Sequence, residues 1–314
     1  MVVMVITMAA VVMLSAQDRG NDRGQCSLAI VSRNVRSNVP VCDKETVLKL
    51  ARGGHVFEQN QLGIASTLVI GPGYSDKEAL KWFEQASHRG YAPAEVNLAV
   101  MYINGWGTAV NYGAAQNLLR DAADQHFARA YYNLGILYLE GKGVKQDNAE
   151  AFRWFQKGAE AGDSSAQTNL GYMYDQGLGC EPNAETAAKW YQKAADGGNP
   201  LGQNNLADLY LRGEGVKQND ALAFDLFQRA ASQGHTGAQI KLAYMFANGR
   251  AVGKNPVAAY SWLSVATTAG DRRGTELLHA VEKKLTSKEL AEAREMATKL
   301  GRAEMDQAAS NFVQ

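Results

Sequence analysis

The residues of this chain that are able to do chemistry are few and scattered. Its five histidines, His55, His88, His126, His235 and His279, fall at no metal-ligand spacing. H-E-x-x-H, C-x-x-C, G-x-S-x-G, S-x-x-K and G-x-x-x-x-G-K-[ST] are all absent. No catalytic residue, no metal and no cofactor is therefore expected. His88 and His235 adjoin glycines that end helices, where an imidazolium would favour the helix dipole. Gly105–Gly107 and Gly213–Gly215 resemble the start of a phosphate loop, but no strand precedes them and the pair recurs, which marks a turn.

Contact chemistry is better represented. Asn97, Asn133, Asn169 and Asn205 recur every 36 residues, and an amide both donates and accepts hydrogen bonds. Three and seven residues on, the same helical stripe carries Val100 and Asn104, Ile136 and Glu140, Tyr172 and Gln176, Asp208 and Arg212. That mixed row suits an extended peptide; the alternative is that each Asn bonds the adjacent repeat. Trp106 lies between two turn glycines where other units carry Lys142, Leu178, Glu214 and Arg250. An indole in such a loop is a candidate contact residue, or a cover for a neighbouring loop.

The elements that must position these residues come from an internal repeat. Leu62, Leu98, Leu134, Leu170, Leu206, Leu242 and Leu278 stand 36 residues apart. Ala79, Ala115, Ala151, Ala187, Ala223 and Ala259 keep the same step, as do the aromatic Tyr102, Tyr138, Tyr174, Tyr210 and Phe246. Each unit reads as two short helices. In 129–162, Tyr131, Leu134, Leu137 and Tyr138 form one apolar stripe, and Gly141 and Gly143 end the first helix. Asp147 caps the second helix with Glu150 three residues on. Ser75, Asn111, Asn183, Asn219 and Asn255 take the same cap position. Gly162 is the stop, shared by Gly90, Gly198, Gly234 and Gly270; His126 departs from it.

Composition fits a folded chain without a general affinity for nucleic acid. In 314 residues, 32 Lys and Arg balance 32 Asp and Glu, leaving no surplus cations to displace phosphate counterions. Residues 1–16 are apolar and uncharged, the length of a signal-peptide core and short for a membrane span. They predict export to the periplasm or beyond, with a retained membrane anchor or a cytoplasmic protein as alternatives. Cys26 and Cys42 could bridge in an exported chain; free thiols are the other reading, and Cys180 stands alone. The expected organisation is 1–16 signal or anchor, 17–55 linker and short helix, 56–272 six repeats, and 273–314 a degenerate capping repeat and tail. Asp43 is expected to cap the short helix over 43–53, and Thr286 with Glu289 to form a capping box.

The pattern A-x-x-N-L-G-x-x-Y-x-x-G-x-G-V, then A-x-x-W-x-x-x-A-A-x-x-G, resembles the Sel1-like repeat, a relative of the tetratricopeptide repeat. The resemblance covers about residues 58–272. The first unit departs from it, with Val69-Ile70-Gly71-Pro72-Gly73 in place of the usual loop. It implies an all-α, right-handed superhelical solenoid of antiparallel helix pairs, first helices lining the concave side. It also implies peptide contact through the Asn row, hence a non-catalytic scaffold that binds a protein or peptide. Two alternatives come from relatives: a hydrolase acting on β-lactam or cell-wall substrates, and an assembly component of an envelope polysaccharide or secretion machine. The cysteine pair that β-lactam-related members carry in nearly every repeat is missing here.

Overall fold

The structure is a computed structural model that describes residues 27–28, 41–42, 44–68 and 75–311. Two strands of two residues, β1 (Ser27–Leu28) and β2 (Val41–Cys42), pair in parallel, where the sequence predicts only irregular linker. Fifteen α-helices follow among the described residues. They divide between two compact units, one holding the helices up to Ala161 and the other running Gly162–Ala308.

The first unit contains α1 (Lys44–Arg52), α2 (Val56–Leu68), α3 (Asp76–Ser87), α4 (Ala92–Asn104), α5 (Tyr112–Asp124), α6 (Ala128–Glu140) and α7 (Asn148–Glu160). Strand β1 lies against α1 and α2. The second unit contains α8 (Ser164–Gln176), α9 (Ala184–Asp196), α10 (Pro200–Arg212), α11 (Asp220–Ser232), α12 (Thr236–Asn248), α13 (Pro256–Thr268), α14 (Thr275–Glu282) and α15 (Ser287–Asn311). From α2 to α13 the even-numbered helices are the first helices of repeats and the odd-numbered ones the second, and the two of each repeat pack together. A 3-10 turn at Arg272–Gly274 leads into α14. Asp43 lies outside the described residues.

The cap signals act as read. The side-chain oxygens of Ser75, Asn111, Asp147, Asn183, Asn219 and Asn255 accept backbone N–H groups of the following turn at 2.8–3.2 Å. Glu150 does not complete a capping box; it pairs with Arg153 at 3.2 Å. Thr286 and Glu289 do complete one, at 2.8 and 3.3 Å. Each first helix from α4 to α12 ends on a left-handed glycine, Gly105, Gly141, Gly177, Gly213 or Gly249.

The second turn glycine has a different cause. A Cβ on Gly215 would fall 2.2 Å from the Ala184 carbonyl oxygen, and one on Gly107 2.6 Å from that of Asp76. The turn thus rests on the first turn of the second helix one repeat earlier. Ala251 takes this position in the last full repeat and is held at φ 66°, while His126 replaces a stop glycine at φ 60°. Both keep the left-handed backbone that the repeat requires of glycine elsewhere.

The repeat alanines and leucines are the core. Ala79, Ala115, Ala151, Ala187, Ala223 and Ala259 are fully buried, and the leucines from Leu62 to Leu242 are at most 3% exposed. Leu278 is only half-buried, as fits an end unit. Small residues set the helix spacing: a Cβ on Gly135 would meet the Phe155 ring at 2.6 Å, and one on Gly171 the Tyr191 ring at 2.7 Å.

In α2, α6, α10 and α12 a side chain near the helix start reaches the end of the preceding helix. Gln59, Gln203 and Gln239 donate to the carbonyls of Ala51, Ala195 and Ala231 at 3.0–3.3 Å, and the Tyr131 hydroxyl donates to Ala123 at 2.9 Å. Each of these carbonyls also accepts the N–H of the residue three further on, so the side chain adds a second donor at the helix end. Glu95 breaks the pattern. Its carboxylate accepts from Gln125 at 3.0 Å and is 4% exposed. Burial, with the charge of Asp121 nearby, pushes its pKa up to about 7.

Candidate functional site

The stripe that carries the Asn row has different surroundings in the two units. In the first unit Asn97 and Asn133 are 0% and 2% exposed. Asn97 donates to the Asn60 side chain of the preceding repeat at 2.9 Å, and Asn133 to its own helix at the Arg129 carbonyl, 3.1 Å. Val100 and Ile136 beside them are buried as well. These two amides are enclosed and not open to a peptide, and the bond from Asn97 is the adjacent-repeat alternative.

In the second unit the same stripe is open. Asn169 and Asn205 are half-buried, and Tyr172 is 37% exposed. The next residue in the register is Lys241, and three residues on from it stands Tyr244, 51% exposed. Only five large apolar side chains are exposed among the described residues, and two of them, Tyr172 and Tyr244, share this face. Between the tyrosines runs a polar network. Lys241 on α12 reaches α10, where it pairs with Asp208 and donates to Asn204 at 3.1 Å. The Asn204 amide in turn donates to Asn205 at 3.0 Å. Asn205 hydrogen-bonds the buried Tyr191 hydroxyl, whose pKa burial and the Asp175 charge push up.

Most charges of this face are paired within it, while the Asp175 carboxylate stands beside a neutral amide. Lys241 holds Asp208, Arg212 pairs with Glu214 at 3.1 Å, and Asp175 accepts from Gln176 at 3.0 Å. What faces outward is aromatic, amide and hydroxyl surface and the Asp175 carboxylate. Such a face can stack, donate and accept; it presents no activated nucleophile.

His235 supports α12 from below and corrects its sequence reading. It is the N-cap of α12, and its Nδ1 accepts the Ala238 N–H at 3.0 Å. A protonated ring could not accept, and it would stand at the positive end of the helix dipole. Burial, then the charges of Lys241 and Arg273, push its pKa down to about 4, against a smaller opposing effect of Asp271. The ring is a neutral acceptor, not the cation the glycine next to it suggested.

The remaining predicted residues lie elsewhere. Trp106 is half-buried and packs on the core of the first unit. Cys26 lies outside the described residues, so its pairing with Cys42 is not seen. Cys180 is half-buried and free, and burial and Glu181 push its thiol pKa up. An open cleft of about 600 Å³ lies along α9 and α10 beside Trp190 and Tyr210. The Trp190 ring is already covered by the Lys193 ammonium, 3.9 Å from its centroid. Among the described residues no cluster of His, Cys, Asp or Glu is placed to hold a metal ion. Nor is any described helix long and apolar enough to cross a membrane.

Sequence reasoning missed Lys241 and Tyr244. The signal was available, because one more step of 36 from Asn205 lands on Lys241, but a row defined by asparagine ended where the residue type changed.

Fold and face together define an all-helical repeat protein that offers side chains from successive first helices as one surface. The chain belongs to the Sel1 repeat family, whose model matches residues 70–91, 92–127, 128–163, 164–199, 200–235 and 236–271. Among solved structures it is similar to a Sel1 repeat protein from Oxalobacter formigenes. Identity there is 28%, over 71% of this chain and 95% of that one, with a TM-score of 0.61. It is also similar to a protective antigen of uropathogenic Escherichia coli strains, at 26% identity over 89% of this chain and 65% of that one, TM-score 0.49. An immunity protein of Pseudomonas aeruginosa matches at 17% identity over 87% and 86%, TM-score 0.46. No curated protein matches the chain.

Proposed function

We propose that the chain is a binding scaffold whose contact surface is the first-helix face of the second unit, and that its ligand is an extended peptide segment of a protein partner. The observation that carries this is the placement of exposed Tyr172 and Tyr244 on either side of the Asn204–Asn205–Asp208–Lys241 network. Aromatic rings give contact area at small entropic loss, and the amides match a peptide backbone. The membership in a scaffold family supports the same reading.

Panning a random linear-peptide library on the full chain tests it. Recovered peptides are expected to bind about tenfold or more weakly to a Tyr172→Ala, Lys241→Ala variant, since a few central residues dominate such interfaces. Peptides that bind both proteins equally would move the contact surface elsewhere. Failure to recover any peptide would remove the peptide reading.

The apolar residues 1–16 support a further part of the proposal, that the chain is exported. N-terminal sequencing of native protein is expected to begin after about residue 16. Recovery of Met1 from a soluble cytosolic fraction would contradict it.

A further inference from the structure

The open face in the second unit carries one charge that the protein does not answer. Asp175 stands on α8 three residues after Tyr172, which puts the two side chains one turn apart on the same side of the helix. Both act electrostatically on the buried Tyr191 hydroxyl, to which Asn205 of α10 is hydrogen-bonded, so both lie close to that hydroxyl. The half-buried Asp175 carboxylate accepts the Gln176 amide at 3.0 Å and, among the described residues, enters no ion pair. The other acids of the face have cations: Asp208 holds Lys241, and Glu214 holds Arg212 at 3.1 Å. Arg212 also reaches the field of the Tyr191 hydroxyl, but its guanidinium is taken by Glu214. The face is left with an excess of negative charge, and that charge sits beside an exposed ring.

Other aromatic rings of the chain already hold a cation. Lys193 lies over Trp190 at 3.9 Å, Lys157 over Trp154 at 4.5 Å and Arg129 over Tyr132 at 5.1 Å. Among the described residues no cation covers Tyr172, which is 37% exposed. Ring and carboxylate together match a cation with a flat face and a directional edge. A guanidinium stacks on an aromatic ring and donates two parallel N–H bonds to a carboxylate. An ammonium is a compact, more strongly hydrated charge with no plane to stack.

We infer that the peptide taken by this face carries an arginine, whose guanidinium lies on the Tyr172 ring and pairs with Asp175. The inference rests on the peptide reading above and adds one required side chain to it.

Peptides selected from a random linear library on the full chain test it, read by their sequences and by fluorescence anisotropy. One position is expected to be held by arginine. Replacing that arginine by citrulline, its uncharged isostere, is expected to weaken binding about tenfold or more, and the affinity of the arginine peptide is expected to fall with added salt. On an Asp175→Asn variant with the parent's urea midpoint, the citrulline penalty is expected to shrink to about threefold or less, and Asp175→Glu is expected to keep most of it. No arginine position, an equal affinity of the citrulline or lysine peptide, or an undiminished penalty on Asp175→Asn would overturn the inference. If peptides without arginine lose affinity on Tyr172→Ala, Lys241→Ala, the peptide face stands and the arginine falls. If no peptide is recovered, both readings fall.

Discussion

Glu95 and His235 are the two buried titratable side chains whose neighbourhoods give opposite pH dependences. For Glu95 the folded pKa lies above the ordinary carboxylate value, at about 7. The folded protein then holds a proton that the unfolded chain has released, and stability falls as pH rises from about 4.5 to 7. Glu95→Gln places there the amide that Gln59, Gln203 and Gln239 supply in other repeats. It is expected to raise stability at pH 8 by about 1–3 kcal/mol and to leave it nearly unchanged at pH 4. Urea unfolding of both proteins at the two pH values checks this.

For His235 the sign reverses. Its folded pKa, about 4, lies below the ordinary imidazole value, so the unfolded chain binds the extra proton. Stability from this group is full above about pH 6.5 and is lost as pH falls toward 4. His235→Asn keeps an N-cap acceptor without the proton, so the pH-dependent loss, about 2–3 kcal/mol, is expected to disappear. A variant that loses stability on acidification as steeply as the parent would show that the ring is not a neutral cap. Neither residue was legible in the sequence. The type of a side chain is printed there; its burial and its neighbours from other helices are not.

At the scale of the helix pair, the 36-residue step fixed what sequence reading could reach. Caps, stops and core leucines follow local rules, and Ser75, Asn111 and Leu134 stand where those rules put them. Gly105 and Gly141 are legible as helix stops, and Gly135, the small residue after a repeat leucine, as a site of close helix packing. That residue is helical, and it is small because the Phe155 ring lies against it. Gly135→Ala brings a carbon within 2.6 Å of that ring. The substitution, favourable for an isolated helix, is expected to destabilise by about 1–3 kcal/mol through overpacking. A thermal or urea midpoint at or above that of the parent would place slack where the structure has contact.

At the scale of the molecule, repeat stability is a sum of units and their interfaces, with the end units covering apolar faces. The core of the second unit runs on through Leu242, Met245, Trp262 and Leu263 to Val281 and Ala293 on α14 and α15. Truncation after Gly234 removes that end. The remaining chain is expected to keep its helical content per residue by circular dichroism and to unfold at lower urea. An unchanged midpoint would mean that the last repeats cover nothing. The register told which side chains share a stripe, yet not what lies over the stripe. Asn97 and Asn169 hold equivalent positions, and one is enclosed while the other borders an open face.

That open face is the centre of the functional proposal, and one double variant tests it most directly. Tyr172 and Tyr244 are exposed, so changing both to Ala should leave the urea stability within about 0.5 kcal/mol of the parent. The affinity for a peptide selected on the full chain should fall about tenfold or more in the same preparation. An unchanged affinity, or a loss that only tracks the fraction unfolded, would contradict a binding role for this face.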